Sequence, residues 1–278
     1  MKERVTLTIE KSLLDRVDKR IDRHRIKNRS HAVELLLSKA LSENSPGKAV
    51  ILAGGQGTRL RPITYEIPKA LIPIQGKTMT EHLFDLFKKY GVRDIYLSVG
   101  YLKDKIIQAY GDGSRFGISI RYIKEEEALG TAGPLKLVKD ELSSTFFVSN
   151  GDELKNINLE EMWEFHKKNK ALATIALTTV EDPSAYGVAR LNGSKIMEFV
   201  EKPKKSEAPS NLINAGLYLF EPEVIGMVKD GFCMLEKDVF PKLARKGQLF
   251  GYPFSGQWFD TGNNDRYARA IREWKGIK

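Results

Sequence analysis

From Lys48 onward, short apolar runs alternate with amphipathic stretches, and this alternation limits the fold more than any other feature. "KAVILA", "DIYLSV", "ISIRYI", "TFFVSNGD" and "ALATIALTTV" read as strands. "MTEHLFDLFKKYG", "KDKIIQAYG", "TAGPLKLVKDEL" and "NLEEMWEFHKKN" read as helices between them. Strand and helix in turn argue an α/β domain on a doubly wound, mostly parallel sheet. Such sheets bind ligands at the carboxyl ends of their strands.

The stretch after the first strand is "AGGQGTRLRPITYEIPKALIPIQGKTM". Two familiar phosphate cradles fail on it. A dinucleotide fingerprint beginning at Gly55 needs glycine where Leu60 stands, and a P-loop ending at Gly76-Lys77-Thr78 needs one where Leu71 stands. The physics of a cradle remains. Glycines let backbone N–H groups approach a phosphate, and Arg59 and Lys69 supply the charge a triphosphate needs.

Upstream the text changes character across the polar, Pro- and Gly-broken segment Ser42 to Lys48, which separates residues 1–44 from residues 48–278. "RVTLTIE" alternates, with Val5, Leu7 and Ile9 on one face and Arg4, Thr6 and Thr8 on the other, as in a half-buried strand. Leu14, Val17 and Ile21 then keep helical spacing. Ser30 is suited to cap a second helix whose apolar face is Val33, Leu36, Leu37 and Ala40. A lone strand has nothing to pair with, so the unit requires a second copy of itself. Residues 2–42 resemble a ribbon-helix-helix module of the Arc and MetJ type. The resemblance implies a homodimer or higher oligomer whose two-stranded ribbon enters duplex DNA. It also implies base contacts from Arg4, Thr6 and Thr8, with a phosphate seated at Arg29 and Ser30.

Composition narrows the classes. Of 278 residues 41% are hydrophobic, which supports a true core rather than a disordered chain. No apolar run approaches the length of a membrane span, so no membrane partner is expected, and the charged N-terminus is not a secretory signal. Cys233 is the only cysteine, which excludes an internal disulfide and fits a reducing, cytoplasmic setting. The net charge of +9 favours anionic partners. The four histidines lack metal spacing.

The longer part resembles the sugar-1-phosphate nucleotidyltransferases, or NDP-sugar pyrophosphorylases. Gly54 to Thr64 match G-G-x-G-T-R-L-x-P-x-T, and Pro68 to Pro73 match P-K-x-L-x-P. The family order continues through "LGTAGPL", "NGD", "YGV", "EFVEKP", "INAGLYLF" and "WFDTG". The resemblance implies a Rossmann-like mixed sheet of nucleotidyltransferase type. The implied reaction joins a sugar 1-phosphate and an NTP into a nucleotide sugar and pyrophosphate.

Arg59 and Lys69 would meet the phosphates, and Asp152 and Asp260 would hold Mg²⁺, a hard cation suited to carboxylates. Asp260 has a competing partner in Arg266. Lys202 would grip the sugar phosphate. Glu201 and Asn214 would bond sugar hydroxyls, with Gly187 allowing close approach. Leu52, Ala53, Gly54, Gly55, Gly57, Thr58, Gly130 and Thr131 would line the nucleotide.

Glu125, five residues before Gly130, would face the base edge. A carboxylate suits the adjacent N–H donors of guanine, and "EEEALGTAGPL" is similar to mannose-1-phosphate guanylyltransferases. UTP or dTTP with glucose 1-phosphate is the alternative, and a non-catalytic regulator sensing nucleotide sugar is another. The five charged site residues favour the enzyme. Thr78, Thr80 and Glu153 depart from the family pattern, and Glu153 leaves the sugar open. Only sixteen residues follow Gly262, so the hexapeptide-repeat β-helix of many relatives is not expected.

Overall fold

The computed structural model describes residues 5–22, 26–41 and 45–277. The chain divides into two compact units, Met1–Asn44 and Ser45–Lys278.

In the first unit, α1 (Lys11–Asp18) and α2 (Arg29–Leu41) bury Val17 and Ala32. Among the described residues Val5 to Glu10 joins no ladder, and Val5 and Leu7 are 67% and 57% exposed. One detail differs from the sequence reading. Ser30 lies inside α2, and Asn28 is the cap, its Oδ1 accepting from His31 N at 2.9 Å. The Arg29 guanidinium grips Asp18 through two bonds of 2.8 and 2.6 Å. Thr6 and Thr8 are exposed, while Arg4 falls outside the described residues.

The second unit carries β1 (Lys48–Leu52), β2 (Pro73–Ile74), β3 (Lys77–Thr78), β4 (Asp94–Val99), β5 (Ser119–Lys124), β6 (Phe146–Asn150) and β7 (Glu153–Lys155). Then follow β8 (Ala173–Thr179), β9 (Gly187–Asn192), β10 (Lys195–Glu201), β11 (Leu212–Phe220), β12 (Leu249–Pro253) and β13 (Trp258–Asp260). The helices are α3 (Ile63–Glu66), α4 (Met79–Lys89), α5 (Lys103–Tyr110), α6 (Gly133–Leu137), α7 (Leu159–Asn169), α8 (Phe240–Arg245) and α9 (Asn264–Glu273).

Nine strands form one sheet in the order β5-β4-β1-β6-β11-β8-β12-β10-β9. The first four run parallel, as the alternation predicts. The sheet as a whole is mixed, not mostly parallel. β11 runs antiparallel to both β6 and β8, and β9 and β10 form an antiparallel hairpin. Only Gly193 and Ser194 link that hairpin, with Gly193 at φ +59°, and a parallel return needs a crossover of a dozen or more residues.

β1 and β6 are apolar along most of their length because both sheet faces are covered. Leu135, Val148, Tyr218 and Phe240 pack on one side, and Ile51, Phe87, Leu97 and Leu217 on the other. The Thr78 departure is a capping box: Thr78 Oγ1 accepts from Glu81 N at 3.2 Å while Glu81 Oε2 accepts from Thr78 N at 2.9 Å. Helix α6 stops at Leu137, earlier than its sequence suggests, where Val138 leaves helical backbone at φ −122° and ψ 22°. Among the described residues no helix is long and apolar enough to cross a membrane.

A third cluster joins Leu60, Met79, Leu154, Phe259 and Trp274, and it fastens α9 and β13 against the start of α4. Trp274 is buried edge-on to His82 and Phe259, and its Nε1 donates to His82 Nδ1 at 3.3 Å. Trp274→Ala empties this joint. Urea unfolding should report a loss of about 3–5 kcal/mol.

Candidate active site

The carboxyl ends of β1 and β6 open into a cavity of about 340 Å³, which Glu125, just past β5, also lines. Leu52, Ala53, Gly54 and Gly55 form one wall as the chain leaves β1. Ala53 N bonds Ser98 O at 2.9 Å, and Gly151 N bonds Leu52 O at 2.9 Å, so three strand ends are tied together under the loop. Lys69, Glu125, Gly130, Thr131 and Asp152 line the rest, with Ala128, Asn150 and Phe232.

Gly54 has a steric reason. A Cβ there would overlap Glu125 Oε1. That carboxylate is fixed, Oε1 accepting from Ser98 Oγ at 2.5 Å and Oε2 from Leu129 N at 3.0 Å. Gly57 stands at φ +63° just before a single 3₁₀ turn, Thr58–Leu60, and a Cβ there would meet Thr64 at 2.8 Å and Lys69 at 3.3 Å. Gly57, Thr58 and Arg59 therefore shape the loop behind the cavity and are not among its lining residues.

Asp152 and Asp260 come together. β7 and β13 pair with Asp260 opposite Glu153, and Thr261 bonds Asp152 O through its N at 3.2 Å and its Oγ1 at 2.7 Å. Each carboxylate has a cation on it. Lys69 Nζ is 2.6 Å from Asp152 Oδ2, and Arg266 holds Asp260, the competing pairing noted from sequence. Arg59 closes the group, since a Cβ at Gly262 would lie 2.8 Å from Asp260 Oδ1 and 3.1 Å from Arg59 Nη2. Burial pushes the Asp152 carboxyl up, but Lys69, Lys155 and Arg59 outweigh it and leave Asp152 below its ordinary range. Two adjacent hard-oxygen donors fit a divalent cation that takes its other ligands from phosphate and water. Among the described residues no group of three His, Cys, Asp or Glu side chains is arranged around one metal position.

The expected sugar residues gather around β9, β10 and β11. Gly187 is needed because a Cβ there would overlap Phe199 and lie 2.9 Å from Glu201 Oε2. Lys202 turns at φ +50°, a strained conformation for a lysine, with its N bonded to Tyr186 O at 2.9 Å and its Nζ 3.5 Å from Glu201 Oε1. Tyr186 links this group to the carboxylates, because Arg266 stacks 4.9 Å from its ring; burial, then Asp260, push its hydroxyl up to about 12. Asn214 is turned inward, its Nδ2 donating to Tyr218 Oη at 2.9 Å and its Oδ1 accepting from Gly216 N at 2.9 Å.

Lys155 and Glu236 escape the sequence reading, and Glu153 entered it only as a departure from the family pattern. Glu153 is buried and bonded by Trp258 Nε1 at 3.1 Å and Asn150 Nδ2 at 3.2 Å, and burial followed by Asp152 and Asp260, against Lys155, raises it to about 7. Lys155, fully buried, bonds Gly216 O at 2.7 Å and Ser149 Oγ at 3.2 Å. Glu236, in a π-helical turn at Leu235–Val239, takes the Thr131 hydroxyl at 2.5 Å, and burial raises its carboxyl. Period-2 and period-3.6 patterns carry no signal for these residues, although the odd "DELK" after β6 was a visible one.

Comparison with known proteins agrees with this geometry. The Nucleotidyl transferase family model matches residues 48–275. The chain belongs to that family. It is 42% identical over 221 residues to the mannose-1-phosphate guanyltransferase of Yarrowia lipolytica, covering 77% of this chain and 60% of that protein. The chain thus spans about 60% of the length of this curated relative. A putative glucose-1-phosphate thymidylyltransferase from Bacillus anthracis aligns with a TM-score of 0.77 at 30% identity, over 83% of this chain and 96% of that one. HddC from Yersinia pseudotuberculosis, solved in complex with GMP-PN, aligns with a TM-score of 0.70 at 28% identity, over 82% and 99%.

Gly216 tests how the site is held. It lies at φ +59° in the irregular pairing between Asn214 and Tyr218, and a Cβ there would overlap Glu153 Oε2. Gly216→Ala should destabilise the fold by about 2 kcal/mol or more, read from the denaturant midpoint.

Proposed function

We propose that the chain transfers a nucleoside monophosphate from an NTP, GTP by preference, to a sugar 1-phosphate of the mannose 1-phosphate kind and releases pyrophosphate. The observation that carries this reading is the meeting of Asp152, in the turn before β7, with Asp260 on β13, with Lys69 and Arg59 against them, at the end of a cavity walled by bare backbone. The named activity of the Yarrowia relative and the GMP-PN complex of HddC support guanine and mannose.

An oxygen of the sugar phosphate attacks the α-phosphorus. That P–O bond forms as the bond to the bridging oxygen of pyrophosphate breaks. The nucleophile is already an anion, so no general base is required. The chain's work is to hold two polyanions in line and neutralise the charge they share. Lys69 and Arg59 do this on the triphosphate, and Lys202 holds the sugar phosphate. Asp152 and Asp260 would hold Mg²⁺, which when bound would screen the charge of the phosphates and of the leaving pyrophosphate. Glu125, oriented by Ser98 and Leu129, accepts from the guanine N1–H and amino group.

Pyrophosphate release over a panel of triphosphates and sugar 1-phosphates, with Mg²⁺ and with chelator, tests this. GTP with mannose 1-phosphate should turn over fastest, and Lys69→Ala or Asp152→Asn should each lower kcat by about 10²- to 10³-fold. Turnover of dTTP with glucose 1-phosphate and not of GTP would transfer the assignment to the Bacillus neighbour's named chemistry. No turnover for any pair would favour a regulator that senses nucleotide sugar.

For the first unit we propose a ribbon-helix-helix dimer that binds duplex DNA. The uncovered faces of Val5 and Leu7 support a second copy, and the exposed Thr6 and Thr8 support a reading face that includes Arg4. Arg29 and Ser30 begin α2 and supply its first backbone amides toward a phosphate. DNA affinity of the full chain should fall by about tenfold or more between roughly 50 and 200 mM salt. Deleting residues 1–44 should abolish DNA binding and spare nucleotidyl transfer. Loss of both would make the unit part of the enzyme's assembly.

A further inference from the structure

Phe232 is 56% exposed, unlike the other phenylalanines, and it lines the cavity beside Ala128, Gly130 and Glu125. The segment that carries it is rigidly fastened. Cys233 is buried, its N bonds Leu129 O at 3.0 Å, and its O accepts from Ala132 N at 2.9 Å and Gly133 N at 3.3 Å. Two residues on, Leu235 N bonds Thr131 Oγ1 at 2.8 Å. Four hydrogen bonds thus sew residues 233–235 onto the loop 129–133. Gly130, at φ +75°, lies directly under the ring: a Cβ there would stand 3.4 Å from Phe232 Cε2 and 2.5 Å from Cys233 O.

An apolar ring kept in water costs hydrophobic stabilisation, and here the backbone around it is fixed so that it stays there. The cavity wall is also incomplete without it, because Glu125 can recognise only the edge of a base and Gly130 offers no side chain to cover a face.

We propose that Phe232 is the face-stacking wall of the base pocket and a specificity-determining residue that favours purine over pyrimidine. The inference rests on the nucleotide reading of the cavity. A base held at its edge by Glu125 presents its π-face to the side walls, and a two-ring base overlaps a phenyl more fully than a one-ring base. Stacking tolerates any base, so Phe232 sets the size preference while Glu125 sets the edge.

Calorimetric titration of the full chain in Mg²⁺, without sugar phosphate, separates the possibilities. The ligands are GTP, UTP and inorganic tripolyphosphate, and the proteins are wild type, Phe232→Ala, Phe232→Tyr and Glu125→Gln. Because the ring is exposed, Phe232→Ala should leave thermal unfolding unchanged. It should weaken GTP about tenfold, or ~1.4 kcal/mol, weaken UTP less and leave tripolyphosphate unchanged. Phe232→Tyr should restore GTP to within about threefold of wild type.

GTP affinity within about twofold of wild type in Phe232→Ala, while Glu125→Gln weakens it, would overturn the stacking role and leave the nucleotide reading standing. An equal loss for tripolyphosphate would also overturn it, since the effect would then not lie at the base. Wild-type protein that binds tripolyphosphate but neither nucleotide would overturn the nucleotide reading itself.

Discussion

Charge pairing at the ends of β6 and β13 is the constraint on which the molecule turns. Three carboxylates, Asp152, Glu153 and Asp260, fall within one short stretch of paired strands. Taken from water unpaired, each would cost several kcal/mol. Each instead has its own cation: Lys69 on Asp152, Lys155 on Glu153 and Arg266 on Asp260. Burial presses the Glu153 carboxyl up and the Lys155 amine down. Lys69 and Arg266 are not spectators in this balance. On the proposed function, a triphosphate entering the cavity would compete for Lys69, and a divalent cation would compete for the carboxylate it leaves. Partner exchange of this kind would let the site load with side chains already in place.

The fold serves that cluster by welding an irregular strand to it. β11 breaks register between Asn214 and Tyr218, and the break is bonded from both sides. Lys155 takes Gly216 O, Asn214 takes Gly216 N, and the Glu153 carboxylate lies where a Gly216 side chain would be. The bulge thereby converts an ordinary antiparallel strand into the support beneath the carboxylates. The buried Lys155 is best understood as part of that support, since its hydrogen bonds run to β6 and β11 and its ion pair to Glu153 on its own strand.

Much of this was legible in the sequence because it rests on local rules. The parallel half of the sheet follows from apolar runs and periodicity. The glycine loop, Lys69, Asp152 and Asp260 stand in motifs whose order implies one site. What remained hidden is what depends on partners distant in the chain. The antiparallel half was obscured because β8 and β11 are buried along most of their length and carry no mark of direction. Asn28 displaced Ser30 as the cap because both residue types accept the same bond and only the backbone decides between them. Phe232 and Glu236 owe their positions to a segment about a hundred residues from the loop it is sewn onto, which no window of the sequence can relate.

Donor and acceptor accounting then separates residues that only support the site from those with capacity left for a ligand. Asn214 spends one N–H on Tyr218 and one lone pair on Gly216, so a second N–H and a second lone pair survive, in an orientation the bulge has fixed. Glu125 accepts one bond at each oxygen and keeps acceptor capacity on both, which matches a ligand edge with two N–H groups. Thr131 donates to Glu236 and accepts from Leu235, so its hydroxyl has no proton to offer and can only accept once more. The pocket therefore presents acceptors at Glu125 and Thr131, a cationic donor at Lys69 with Arg59 behind it, and an exposed ring at Phe232. That set is complementary to a base with N–H groups on its edge and a polyanionic tail.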